Sequence, residues 1–302
     1  MPNEEEAAEA FGVLADPTRI AILRAFAEAL DQNDDWSDDP MPILSFSDVY
    51  ERIDADSTSQ LSYHLEKLDG TYLRQVDEGW KFTFAGESVV RLFLSGAYAG
   101  SVTFEPVAVE GRCPFCDAEA LRVVVDDLAL LYECNDCERR TGGMHVTPAQ
   151  VRGRDAESLL ASANADRATL FWRFRENICN ECGGAVDVEF HDGSAAGSDV
   201  KWTVRGRCRQ CWRVVHGPPS IWLATHPAST AFHWDNGIDA RTFGFRYLLN
   251  RLESGDWRTE RVAPDEYETT YRVDDAELRL TVDDDLSVLR TERVRRNSAL
   301  DT

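Results

Sequence analysis

All eight cysteines of this chain fall in four C-x2-C pairs: Cys113/Cys116, Cys134/Cys137, Cys179/Cys182 and Cys208/Cys211. A C-x2-C turn aims two thiolates at one point, and a hairpin that joins two such turns completes a tetrahedral site of four thiolates. The first two pairs flank residues 117–133, which alternate as strand, turn and strand, with Asp126 and Asp127 near the turn. The other two flank residues 183–207, a longer hairpin holding "AVDVEF", the Gly/Ser-rich "HDGSAAGSD" and "VKWTVRGR". The spacing predicts two four-cysteine zinc ribbons holding two structural Zn2+, in preference to iron or iron–sulfur. Closed thiolate sites contribute folding energy to ribbons too small to bury a sufficient core. They leave no ligand position open for catalytic water.

The two ribbons read as a diverged internal repeat. Each is followed by a histidine (His145, His216), a proline-containing turn and a helical stretch. Since no thiolate ligand is missing, both histidines are read as structural or surface residues. Arg205, Arg207, Arg209 and Arg213 surround the second ribbon's last knuckle, with Trp202 and Trp212 interleaved. Basic plus aromatic suits nucleic acid or a partner. It equally suits a knuckle stacked on a neighbouring domain, and the sequence leaves both open.

Ahead of the cysteines lies a different unit. In "AFGVLADPTRIAILRAF", Asp16 can cap a helix, Pro17 suits its first position, and Ile20, Leu23, Ala27 and Leu30 continue an apolar stripe. Residues 31–42 are acidic and proline-bearing and read as a loop. A short helix, "FSDVYERI", follows with Ser45 or Ser47 as cap and Val49 and Ile53 inward. In "DSTSQLSYHLEKLDG", Ser57 and Gln60 have capping-box spacing, and Leu61, Leu65 and Leu68 form one buried stripe. The opposite face offers Thr58, Ser59, Ser62, Tyr63 and Lys67, with Glu66 the only carboxylate in residues 57–68. Such side chains reach base edges and phosphates. "TYLRQVDEGWKFTFAG" predicts a hairpin with Gly79 at its turn. A further helix follows, with Val89, Val90, Phe93 and Leu94 inward.

"LADPTRIAIL", "FSDVYERI", "QLSYHLEKL" and "FTFAG" together resemble the ArsR-like winged helix-turn-helix regulators, specifically haloarchaeal forms with a cysteine-rich C-terminal half. The resemblance covers about the first third of the chain. It implies double-stranded DNA as partner and a homodimer pairing through the first and last helices of the domain. It places helix 57–68 in the major groove and the wing near the backbone. The DNA-contacting set is then Ser57, Thr58, Ser59, Gln60, Ser62, Tyr63, Lys67 and, on the wing, Lys81. Metal-sensing members carry a cysteine motif beside the recognition helix. Residues 1–100 have no cysteine and a single histidine, His64, so metal sensing there is not expected. His64 is read as a packed or hydrogen-bonded structural residue.

After the ribbons, residues 240–253 predict a helix, and "EYETTYRVDDAELRLTVDDDLSVLRTERV" predicts a three-stranded antiparallel meander. Five of the eight tryptophans lie in residues 202–257, filling a core between ribbon and meander or lining a ligand pocket. The tail "RRNSALDT" is expected to be disordered. The expected fold is therefore α+β multidomain. It comprises a winged helix-turn-helix domain (1–100), a first zinc ribbon with following helices (101–170), a second ribbon (171–225) and a small α+β unit with an antiparallel meander (226–302).

The formal net charge is −22, and nucleic acid is a polyanion. Acid is spread along the whole chain, and lysine occurs only at Lys67, Lys81 and Lys201. That pattern fits a cytosol of molar salt, where the Debye length is about 3 Å and self-repulsion is screened. The alternative is a mesophile protein that avoids polyanions. The acidic start "MPNEEEAAEAF" lacks the features of a signal peptide, and no apolar run of membrane-spanning length occurs, so a cytoplasmic location and no membrane are expected. No enzyme signature is present, neither G-x-S-x-G, P-loop, dinucleotide fingerprint nor H-E-x-x-H. The expected function is a DNA-binding transcriptional regulator whose ribbon and C-terminal regions sense a ligand or contact a protein partner. The alternatives are a transcription-associated factor that docks on proteins through winged helix and ribbons, and RNA binding through the ribbons.

Overall fold

The computed structural model describes residues 3–31, 42–97, 102–193, 201–240 and 242–295. The body of the acidic loop expected at 31–42, most of the Gly/Ser-rich loop at 191–199, the side chain of Leu30 and the tail after Arg295 lie outside these residues. The chain divides into two compact units, residues 1–100 with 147–149, and residues 101–146 with 150–302.

In the first unit, α1 (Glu4–Val13) starts at a full capping box between Asn3 and Glu6, a helix the sequence reading did not separate. Asp16 caps α2 (Pro17–Asp31), accepting from the Thr18 N–H at 2.9 Å. The buried side of α2 is Ile22, Leu23, Phe26 and Ala29. The expected stripe through Ile20 and Ala27 is thus turned, and those two are half-buried. The difference follows from the core: Phe26 packs its ring 5.5 Å from that of Phe82, and the larger side chain sets the helix rotation. α3 (Phe46–Arg52) takes Ser45 as its cap, with Asp48 completing the box. It buries Val49 fully.

α4 (Thr58–Leu68) buries Leu61, Leu65 and Leu68 as expected and adds His64 to that face. Ser57 accepts from the Gln60 N–H, but the reciprocal bond differs from the expected box: the Gln60 side-chain oxygen accepts from the Asp56 N–H at 3.2 Å, one residue earlier. The hairpin β1 (Leu73–Val76) and β2 (Gly79–Phe82) turns at Asp77 and Glu78. Gly79 opens β2 with φ +151, and a Cβ there would lie 2.1 Å from the Leu44 carbonyl oxygen. Only glycine lets Leu44 bridge to Trp80 beside the two-stranded hairpin. α5 (Phe84–Ser95) buries Val90, whereas Leu94, expected inward, is half exposed.

In the second unit, β3 (Val107–Ala108), β4 (Leu121–Asp126), β5 (Ala129–Cys134) and β6 (Arg140–His145) form one antiparallel sheet in chain order. The first ribbon is therefore wider than the expected hairpin. The short turn α6 (Pro148–Val151), which spans the division between the units, and the long α7 (Ala156–Arg175) follow. Leu159 and Ala163 of α7 join the first sheet's core with Val123, Leu130 and Tyr132. Phe171 and Phe174, further along α7, join a second and larger core.

That larger core is shared. The second ribbon, β7 (Val186–Asp192), β8 (Trp202–Cys208) and β9 (Val214–Gly217), is a three-stranded antiparallel sheet. Next come α8 (Pro219–Leu223), α9 (Pro227–Asp235) and α10 (Phe245–Glu253). The C-terminal sheet has four strands where three were expected: β10 (Trp257–Ala263), β11 (Glu266–Val273), β12 (Ala276–Asp283) and β13 (Val288–Arg295), in chain order. β10 escaped the sequence reading because "WRTERVA" is mostly polar. It is an edge strand and buries only Trp257. Trp222 and Trp257 are fully buried in the shared core, and Trp202 packs against it beside Tyr267. Trp212 and Trp234 are exposed.

Candidate metal centres and exposed helix face

The four knuckles share one backbone. In each, the residue after the second cysteine is left-handed: Asp117 (φ 60), Glu138 (φ 58), Gly183 (φ 71) and Trp212 (φ 60). The first cysteine's N–H donates five residues on, Cys113 to Ala118, Cys134 to Arg139, Cys179 to Gly184 and Cys208 to Arg213, at 2.9–3.0 Å. Three of the four left-handed positions are not glycine, a conformation that costs energy and is held by its surroundings.

These turns bring the sulfurs together. Cys113 and Cys137 lie 3.6 Å apart and Cys116 and Cys134 3.7 Å. Cys179 and Cys211 lie 3.6 Å apart and Cys182 and Cys208 3.5 Å. Within each set the four ligand atoms lie within 4.8 Å of one another. A zinc tetrahedron with Zn–S of about 2.3 Å has edges of about 3.8 Å, whereas a disulfide needs about 2.05 Å. Each set of four thiols thus fits a tetrahedral metal ion. Backbone N–H groups also point at sulfur, from Phe115 to Cys113 and from Asp136 to Cys134 at 3.4 Å, and from Gln210 to Cys208 at 3.3 Å. Such donors favour thiolate. Those of Cys137 and Asp136 draw Cys134 down to about 7, and those of Cys211 and Gln210 draw Cys208 down to about 6, against the opposing effect of burial. His145 and His216 are exposed and belong to neither cluster.

The arginines of the second ribbon have acidic neighbours, and Arg213 approaches Glu181 at 4.0 Å. Arg205 and Arg207 alternate outward on β8 and face Glu189 and Asp187 across the β7 ladder. Arg209 is ion-paired with Asp187, whose carboxyl it holds below the usual range. Trp202 is turned to the core, leaving Trp212 as the exposed aromatic.

In the first unit, α4 brings Thr58, Ser59, Ser62, Tyr63 and Lys67 to one exposed face. The Lys67 ammonium sits 5.6 Å from the Tyr63 ring centroid. Ser57 and Gln60 are half-buried, and their oxygens are engaged at the helix start. Arg19 Nε donates to His64 Nδ1 at 3.3 Å, so this histidine is tied inward. Lys81 is half-buried on β2, directly across the ladder from Arg74. Opposite residues of an antiparallel pair share a face. Arg74 is thus a second cation on the hairpin, missed in the sequence because its register with Lys81 depends on the two-residue turn.

No curated protein and no solved structure matches the chain. Residues 7–93 match the family described as Domain of unknown function (DUF7347). Residues 110–288, more than half of the chain and both cysteine clusters included, match Domain of unknown function (DUF7351), and the chain belongs to that family.

Proposed function

We propose that this protein is a DNA-binding transcriptional regulator with a winged helix-turn-helix domain of ArsR-like type, and that its two four-cysteine clusters hold structural zinc. The observation that carries the reading is the exposed face of α4. It is poor in carboxylate, rich in hydroxyls, and carries Tyr63 and Lys67 over a fully buried leucine stripe. The Arg74/Lys81 pair on the hairpin suits a wing beside the phosphate backbone. A homodimer is supported by apolar side chains left on the first and last helices of the unit: Phe11 is 69% exposed and Phe84 82%, with Leu92 and Leu94 also open. The ribbons and the C-terminal sheet carry the sensory or partner-binding role. No described helix is long and apolar enough to cross a membrane.

Counterion release makes DNA affinity fall steeply with salt, so a protein working in molar KCl gains little from a basic surface. Specificity then rests on base-edge contacts and shape. The test is fluorescence anisotropy of the zinc-loaded protein on its own upstream DNA in molar KCl, with scrambled duplex as competitor. Saturable, specific binding with a shallow salt slope is expected, whereas a steep loss of affinity with added salt would overturn the account of the charge. A second reading, docking on a protein partner, is favoured by Trp212 and Trp234, each 64% exposed. Folded dimer that binds no duplex would shift the assignment to it.

A further inference from the structure

A cleft of about 440 Å3 opens where the start of β8, the start of α8 and the edge strand β10 meet. Its volume lies within the range of small-molecule sites, about 300–1,000 Å3. Three of its lining side chains carry a buried polar atom with no hydrogen-bond partner among the described residues: Trp202 Nε1, Trp257 Nε1 and Ser220 Oγ. Trp257 and Ser220 are each 1% exposed. Tyr271 donates to the Ser220 carbonyl oxygen at 2.6 Å, fixing that residue's backbone and leaving its hydroxyl unused. An indole N–H donates and never accepts, and a serine hydroxyl can turn to donate. All three atoms are closed off behind the surface of the cleft.

The rim adds charge of one sign. Lys201, Arg258 and Arg261 line the cleft against the single carboxylate of Glu260. Arg258 approaches Glu260 at 3.5 Å and Arg261 approaches Asp265 at 3.9 Å, while Lys201 has no ion pair among the described residues. In a chain of net charge −22 with lysine at only Lys67, Lys81 and Lys201, a cationic rim over a cleft lined by Trp202 and two prolines runs against the bias of the whole surface.

We propose that this cleft binds a small organic anion, a carboxylate or phosphate monoester on a flat or apolar body. The cationic rim takes the anionic group, and Trp202 and the prolines of α8 take the body. Binding itself does not depend on the DNA reading; only the ligand's role as an effector rests on it.

The test uses the full-length, metal-loaded chain labelled with 5-fluorotryptophan and followed by 19F NMR in the absence of DNA, so that its failure is distinct from failure of the regulator reading. Benzoate and phenyl phosphate are the probes, and benzamide is the neutral control. The Trp202 resonance, assigned from Trp202→Phe, should move saturably with at least one anion, with a dissociation constant of about 1 mM for a probe of this size. The resonances of Trp212 and Trp234 should stay still. The preferred probe distinguishes a carboxylate from a phosphate ligand. Lys201→Gln/Arg258→Gln, both on the rim, should weaken binding about tenfold. Movement by benzamide equal to that by the anions, no movement with either anion, or binding unchanged in the rim double variant would each overturn the proposal.

Discussion

Arg19 Nε on α2 donates to Nδ1 of His64 on α4 at 3.3 Å, and the Asp16 carboxylate lies 3.8 Å from the same nitrogen. The bond ties the exposed-face helix to its neighbour from the buried side. His64→Ala removes the acceptor and opens a hole beside Leu61 and Leu65, so the first unit should lose about 1–3 kcal/mol. Urea unfolding checks this. DNA affinity measured well below the midpoint should barely change, because His64 is 5% exposed and faces inward.

The outward face should behave oppositely. Tyr63 and Lys67 touch each other and solvent, so Tyr63→Ala/Lys67→Ala should leave the unfolding midpoint within about 0.5 kcal/mol of the parent. Specific DNA binding in the anisotropy assay should fall by about 2 kcal/mol or more. Unchanged affinity would remove α4 as the reading helix.

Metal removal should act mainly on the second unit. Structural zinc contributes roughly 10–16 kcal/mol in small zinc-bound peptides, as much as the whole stability of a typical domain. Inductively coupled plasma mass spectrometry should count two zinc ions per chain. Cys208→Ser and Cys113→Ser should each leave one. Cys179 and Cys208 are part of the large core that includes Trp222, Trp257 and Tyr271, whereas Cys113 and Cys134 pack in a small separate cluster. Cys208→Ser should therefore abolish hydrogen-exchange protection across the C-terminal sheet. Cys113→Ser should expose chiefly the first ribbon.

The second unit should weaken in acid through His233. Its ring is fully buried among Phe232, Phe243, Trp257 and Tyr271, with Nδ1 donating to the Ser229 carbonyl oxygen at 2.7 Å. Burial holds this histidine down to about 4 from an ordinary 6.5. The unfolded chain takes up a proton near pH 6.5 while the folded one does not, so the stabilisation is complete above 6.5 and shrinks as pH falls towards 4. The gap corresponds to about 3 kcal/mol. Urea midpoints of the parent and His233→Phe across pH 4–8 check it; the variant should show a flatter profile.

Gly206 sits where β8 crosses the large core. A Cβ there would lie 2.6 Å from Trp222 Cη2 and 2.9 Å from Phe174 Cδ1. Gly206→Ala should cost about 1–3 kcal/mol by overpacking. Measured by thermal unfolding, the loss should be relieved only in part by Phe174→Leu, because the closer contact, with Trp222, remains.

The sequence by itself determined the parts whose information is local. C-x2-C spacing places two thiolates within one turn, so pairing the knuckles needed only the hairpins between them, and all eight sulfurs fall into the two expected groups. Ser57 as cap and Leu61, Leu65 and Leu68 as the buried stripe are likewise written in a single helical period. Tertiary structure decided what depends on partners distant in the chain. Phe26 meeting Phe82 set the rotation of α2, and pairing with β11 made a strand of the polar β10. The β1–β2 register put Arg74 beside Lys81, and the β7–β8 register put Asp187 and Glu189 opposite Arg207 and Arg205. The tryptophans show the same division. Each indole reads alike in the sequence, but whether it fills a core, faces solvent or lines a cleft depends on which elements pack around it. That packing is a property of surfaces brought together by the whole chain.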